Sequence, residues 1–318
     1  MSTRQRILVI KLGALGDFVQ ALGPFAAIRA HHDALDETGH AHITLLTTPA
    51  FAGLARDSGY FDDIWDDGRA KGFSALLSLV RRMSWAGFTR VYDLQTSSRS
   101  SMYFHLLWPR TQWSGIARGA SHPHRNPERD FMHTVDRQAE QLRDAGIAEM
   151  SLADVSRLAG SRTAQALTGT EEPFGLLIPG AAPHRPAKRW PAERFGDIAA
   201  NWAKSGLRPV ILGSKGEKPL AEEIARREST TIDLTGATSL NDIVTLAMTA
   251  KMAVGNDTGP LHLVSLAGTP SVALFGSDSD PALCAPRGPH VLVLQAPDIS
   301  AHSVDDVLKA LSMVAGKT

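Results

Sequence analysis

The chain predicts an α/β protein of two successive domains, each an open, mostly parallel sheet covered by helices. Three observations predict it. Short β-branched runs alternate with amphipathic helical stretches almost from end to end. The rhythm pauses once, at Leu158–Pro173, a stretch rich in Ser, Thr, Gly and Ala, and then restarts. The length of 318 residues suits about two domains of roughly 100–200 residues each. The expected domains are 1–160 and 170–318, with the final helix free to pack back on the first.

In the first, Arg6–Ile10 reads as a strand, followed by the glycine loop Leu12-Gly13-Ala14-Leu15-Gly16-Asp17. A helix is expected from about Phe18 to His31, because Phe18, Leu22, Phe25 and Ile28 recur at helical spacing. Then come Ile43–Thr47 (strand), Pro49–Arg56 (helix), Asp63–Trp65 (strand), Phe73–Met83 (helix) and Arg90–Leu94 (strand). Met102–Leu107 reads as a helix and Gln112–Ile116 as a strand. Arg118–Arg137, rich in Arg and His and broken by Pro123 and Pro127, reads as irregular. Thr134–Ala145 is a helix.

In the second, the strands are Phe174–Ile178, Pro209–Leu212, Thr231–Leu234, Met252–Gly255, Ser271–Phe275 and Val291–Leu294. The helices are Pro191–Ser205, Lys218–Arg227, Leu240–Ala250 and Leu261–Ala267. A last one, Ser303–Val314, can be capped by Ser303.

Composition excludes several classes. Apolar residues at 43% and charged residues at 21% suit packed cores rather than disorder. Thirty-three Lys and Arg balance thirty-three Asp and Glu, which argues against a dedicated nucleic-acid binder. A single cysteine, Cys284, excludes disulfides within the chain and cysteine-rich metal sites, and fits a reducing cytoplasm. Ile7-Leu8-Val9-Ile10 is too short for a signal sequence. No window approaches the ~18 apolar residues of a membrane span. A soluble chain is expected.

Parallel α/β sheets bind ligands beyond the carboxyl ends of their strands, so three loops hold the candidate chemistry. Lys11–Asp17 puts two glycines and a carboxylate at a helix start. Asp17 reads either as a helix cap or as a general base. The loop lacks the Gly-x-Gly-x-x-Gly dinucleotide pattern and is no P-loop. Pro179–Pro191 brings His184, Arg185, Lys188 and Arg189 to a helix N-terminus, where anions are favoured. Gly255-Asn256-Asp257-Thr258-Gly259-Pro260-Leu261-His262 ends a strand and opens a helix, with Pro260 at the first helical position. Two weaker patterns, Asp278-Ser279-Asp280 and His122-Pro123-His124, have metal-like spacing without a further ligand nearby, so no metal site is expected.

Together these loops resemble glycosyltransferase family 9, the ADP-heptose:lipopolysaccharide heptosyltransferases. Ile10-Lys11-Leu12-Gly13-Ala14-Leu15-Gly16-Asp17 looks like the family's opening motif, and Lys188-Arg189-Trp190-Pro191 like its Lys-x-Trp-Pro turn. Asn256–His262, followed by Leu274-Phe275-Gly276, is similar to its signature.

The resemblance implies a GT-B fold, two Rossmann-like domains facing a central cleft, with acceptor on the first and sugar nucleotide on the second. It implies an inverting, metal-independent transfer of heptose or a related sugar from ADP-heptose, without a cofactor. Asp17 matches the base, Lys188 a phosphate contact, Glu217 the position that holds the ribose, and Asp257 a residue near the transferred sugar. Thr258, Gly259 and His262, with Gly180, Ala181 and Ala182, complete the implied donor site. The two alanines stand where some members carry hydroxyl residues, which leaves backbone N–H groups alone. Acceptor candidates are Lys11, Gly13, Gly16, Arg118, His122 and Arg125. The implied partner is an anionic glycolipid like lipid A–Kdo, met at the cytoplasmic face of the inner membrane. The rival readings are a sugar-nucleotide epimerase and a non-catalytic nucleotide-sugar binding protein.

Overall fold

Residues 5–36, 39–182 and 184–316 are described by a computed structural model, in which the chain forms two units, 1–153 and 154–318. The first contains β1 (Arg6–Ile10), α1 (Leu15–Gln20), α2 (Leu22–Leu35), β2 (His42–Leu46), α3 (Pro49–Ser58) and β3 (Asp63–Trp65). It continues with α4 (Phe73–Trp85), β4 (Arg90–Asp93), α5 (Ser98–Leu106), β5 (Gln112–Gly115), β6 (His122–Pro123) and α6 (Thr134–Asp144). The sheet runs β3-β2-β1-β4-β5-β6 and its strands are parallel. Strand order reverses between β1 and β4, so the loops that leave these two strands diverge and leave a crevice. Ile7, Leu8, Val9 and Ile10 are all buried, as a central strand covered on both faces requires.

The second unit contains α7 (Ala164–Thr168), β7 (Phe174–Ile178), α8 (Ala192–Lys204), β8 (Arg208–Ile211), α9 (Lys218–Arg227), β9 (Ile232–Asp233) and α10 (Leu240–Ala247). It ends with β10 (Met252–Asn256), α11 (Gly259–Leu266), β11 (Ser271–Phe275), α12 (Pro281–Cys284), β12 (Val291–Gln295) and α13 (Val304–Ala315). Its parallel sheet runs β12-β11-β10-β7-β8-β9 and reverses between β10 and β7. Trp190, Phe195, Ile198 and Trp202 pack with Val307 and Leu311 of α13 in one core, so the final helix, expected to be free to pack back on the first domain, buries its apolar face within its own unit. Ser303 does cap α13, accepting a hydrogen bond from the Asp306 N–H at 3.1 Å.

Four expectations need correction. The helix expected at 18–31 is two helices, α1 and α2, parted at Ala21. Pro24 has no N–H to give the Gln20 carbonyl, and its ring would strike that carbonyl, so one ladder cannot run through. α5 begins at Ser98 rather than Met102, capped by Ser97, because its first turn is polar and shows no periodicity. The Arg118–Arg137 segment holds β6, paired with β5 through Ser114 to His122 and Gly115 to Pro123. A proline is tolerated there because the strand lies at a sheet edge. Leu158–Pro173 contains α7 and belongs to the second unit. The Asn241 amide donates to the Leu158 carbonyl at 2.8 Å, and Arg162 pairs with Asp242 at 2.6 Å.

Candidate active site

In the second unit the loops after β7 and β10 are tied by one buried side chain. Asn256, the last residue of β10, donates to the Pro179 carbonyl at 2.7 Å and to Gly180 at 3.3 Å. Its Oδ1 accepts the Trp190 N–H at 3.1 Å. That clasp brings Lys188 to Asp257. Lys188 Nζ lies 2.6 Å from Asp257 Oδ2, and His262 Nε2 lies 3.5 Å from Oδ1. Cys284 Sγ donates to the same carboxylate at 3.9 Å. Burial alone would raise the Asp257 pKa. The His262 hydrogen bond and Lys188 outweigh it and hold the carboxyl at about 2. Asp257 is therefore a fixed anion, and Lys188 retains two further ammonium hydrogens for a ligand.

α11 starts just beyond this pair. Thr258 is its N-cap and Gly259 its first residue, so Pro260 sits at the second helical position, one later than expected. Pro260 carries no N–H, and the Leu261 and His262 N–H groups donate to the Thr258 carbonyl at 3.0 and 3.3 Å, which leaves the N–H groups of Thr258 and Gly259 as the ones an anion can meet. From β8, Glu217 accepts the Ser214 N–H at 2.6 Å. Its carboxylate lies so close to Gly180 that a Cβ there would meet Oε1 at 1.7 Å. A side chain at position 180 would have to push that carboxylate aside. Ala181 is buried, and its carbonyl accepts from Arg189 at 3.0 Å. Pro183 lies outside the described residues. The side chains named for the donor thus gather at the carboxyl ends of β7, β8 and β10.

In the first unit Lys11 is buried, and Nζ donates to the Leu94 carbonyl at 3.2 Å. Leu12 N–H donates to Gln95 Oε1 at 2.7 Å, so the loops after β1 and β4 are joined. Gly13 takes φ +109°, with the Phe51 ring 2.5 Å from where a Cβ would stand. Asp17 is not the helix cap. Ala14 is, and Asp17 stands in the first turn of α1, its Oδ2 accepting the Ala14 N–H at 3.2 Å. Burial lowers the pKa of Lys11, Asp17 and Asp93 pull it back up, and Arg137 pushes it further down. Asp93 is fully buried, which raises its carboxyl to about 6 against the pull of the Thr96 and Gln95 N–H groups, the Ser100 hydroxyl and Lys11.

Of the remaining candidates, Arg118 and Arg125 are exposed, and Gly16 is half-buried in α1. His122 meets Arg90 through Nε2 at 3.0 Å, while His124 faces Glu140 at 3.5 Å, so the two histidines serve different partners. Asp280 caps α12 by accepting the Ala282 N–H at 2.9 Å. Among the described residues, no three His, Cys, Asp or Glu side chains are grouped to hold a metal ion.

The model of glycosyltransferase family 9 (heptosyltransferase) matches residues 76–308. The chain belongs to glycosyltransferase family 9. Lipooligosaccharide heptosyltransferase 2 of Haemophilus influenzae is 33% identical over 114 residues, which are 34% of this chain and 33% of that protein. The match therefore spans about a third of the length of that relative. A family 9 glycosyl transferase from Veillonella parvula aligns over 100% of this chain and 99% of its own, at 22% identity and TM-score 0.79. E. coli heptosyltransferase WaaC with ADP aligns over 98% and 100%, at 19% identity and TM-score 0.75. These structures share the fold, two Rossmann-like parallel-sheet units of GT-B type.

Three features of these loops and their surroundings escaped sequence reasoning. Asn256 stood inside the quoted signature, but its contacts span 76 and 77 residues and leave no local pattern. Asp93 ends an ordinary apolar strand. Arg137 lies on an amphipathic helix, yet its charge acts on Lys11 and is itself acted on by Asp17.

Proposed function

We propose that this chain transfers heptose from ADP-heptose to the inner core of a lipopolysaccharide acceptor, with inversion and without a metal. The observation that carries the reading is the Lys188–Asp257 pair set beside the start of α11 and locked by Asn256. Family membership and the heptosyltransferase activity of the relatives support it. The second unit holds the donor. Lys188 and the N–H groups of Thr258 and Gly259 take the diphosphate, Glu217 the ribose, and Asp257 with His262 the sugar. The first unit holds the acceptor, with Arg118, His122 and Arg125 facing its anionic groups. Lys11, Gly13 and Gly16 shape the loop that presents Asp17.

The chemistry balances without further reagents. The acceptor hydroxyl oxygen attacks the anomeric carbon, the bond from that carbon to the phosphate oxygen breaks, and its electron pair leaves with ADP. Asp17 takes the hydroxyl proton. Lys188 and the helix amides meet the charge that grows on ADP, so fixed donors stabilise the leaving group. The acceptor is lipid-borne, so the chain works at the cytoplasmic surface of the inner membrane.

The test is to supply ADP-heptose and a Kdo–lipid A acceptor and to follow both products by mass spectrometry. One ADP should appear per heptose transferred, with the rate unchanged in EDTA. Lys188→Ala should weaken ADP binding by about 1–3 kcal/mol, the range for a lost charged hydrogen bond. ADP-heptose consumed equally without acceptor, or a rate restored only by added magnesium, would overturn the reading.

A further inference from the structure

The outer face of α4 and α5 carries large apolar side chains that the core does not use. Leu79, Val80 and Met83 of α4 and Tyr103 and Phe104 of α5 turn inward, joined by Leu107, into one buried cluster on one face of the first sheet. Trp85 at the end of α4 is 85% exposed, Trp108 just after α5 is 75% exposed, and Met102 and Leu106 lie one turn apart on the outside of α5. The Trp108 N–H donates to Ser84 Oγ at 3.4 Å, which sets the two exposed indoles at neighbouring chain positions.

The charge on this stretch is one-sided. Residues 68–127 contain nine Lys and Arg and a single acid, Asp93, which is fully buried, in a chain whose net charge is zero. Arg81 and Arg110 are exposed, and Arg82 lies over the Trp65 ring and pairs with Asp67, just outside that stretch. We infer that this face docks on an anionic lipid bilayer.

Exposed tryptophans with interspersed arginines suit the boundary between headgroups and acyl chains, where the indole is apolar with one polar edge. Each cation gains from the negative surface potential of such a membrane. A second copy of the chain does not fit the same face. Across a twofold axis Arg81 and Arg110 would meet arginines, and Asp67, the exposed carboxylate beside α4, is already paired with Arg82. The inference deepens the proposed function, whose acceptor is lipid-borne, by naming the surface that meets the lipid.

Vesicle co-sedimentation tests it with the full chain. The lipids are phosphatidylglycerol mixed with phosphatidylethanolamine, or phosphatidylcholine alone, and neither holds an acceptor sugar. The chain should bind the anionic vesicles, weaken as salt is raised, and ignore the neutral ones. Trp85→Ser with Trp108→Ser, and separately Arg81→Glu with Arg110→Glu, should each lower vesicle affinity at least about tenfold. Melting temperature should hold, as should the transfer rate to a deacylated, water-soluble acceptor. That last assay reads the proposed activity alone, so its failure is distinct from failure to bind vesicles. No binding to anionic vesicles at low salt, affinity within twofold of the parent in both variants, or a dimer that the tryptophan changes dissolve would overturn the inference.

Discussion

Lys188 meets a carboxylate before any donor arrives. Its ammonium is 2.6 Å from Asp257, so an incoming diphosphate competes with a fixed anion for the same cation. Asp257→Asn removes that competitor. ADP affinity should hold or rise, by up to about tenfold, while heptose transfer falls, and calorimetry beside a transfer assay reads both. The same variant has a pH signature. The Asp257 carboxyl titrates at about 2 in the fold, below its usual 3.8. Its charge therefore contributes stability above pH 4 that is lost as pH falls through 2. The contribution is on the order of 2 kcal/mol. Urea melts of parent and variant should differ most at pH 7 and draw together as pH falls from 4 toward 2. Asp93 has the opposite sign. Its folded pKa of about 6 exceeds 3.8, so its contribution is intact below pH 4 and is lost as pH rises through 6. Asp93→Asn should therefore gain on the parent as pH goes from 4 to 7, by about 1–3 kcal/mol in the same melts.

At the scale of elements, local pattern carried the secondary structure and stopped at contacts. The strands Arg6–Ile10, Phe174–Ile178 and Ser271–Phe275 were legible because buried parallel strands read as unbroken apolar runs. The loops after β7 and β10 stood out because glycines, prolines and cations cluster in them. The single helix expected at 18–31 failed because the apolar period continues through Pro24 while the hydrogen-bond ladder cannot. What could not be read was pairing at a distance. Lys188 and Asp257 lie 69 residues apart, and Lys11 and Leu94 lie 83 apart. The clasp by Asn256 belongs to this class. Asn256→Ala would strand the Pro179 carbonyl and the Trp190 N–H inside the protein. Thermal or urea unfolding should show a loss of about 2–4 kcal/mol, since each stranded buried group costs roughly 1–3 kcal/mol. ADP affinity should fall with it, because the two donor loops lose their common tie.

For the molecule as a whole, the alternation of elements was enough to expect two parallel sheets. Composition was a poorer guide to where the first ends. Residues 158–173 look flexible by composition, yet Thr163 caps α7 and Asn241 and Asp242 of α10 fasten the segment, so the division falls at 153 and 154. The account assigns proton removal to the first unit and donor binding to the second, and Asp17→Asn separates these roles. Asparagine keeps an oxygen for the Ala14 N–H that Asp17 now accepts, so the melting temperature should change little. The lost charge in the first helical turn costs about 0.3–1 kcal/mol. ADP affinity should match the parent. The decisive measurement is the rate of heptose transfer from ADP-heptose by this variant. The account predicts a fall of about 10²–10⁴-fold. A rate near that of the parent, with fold and ADP binding intact, would contradict it and remove Asp17 as the base.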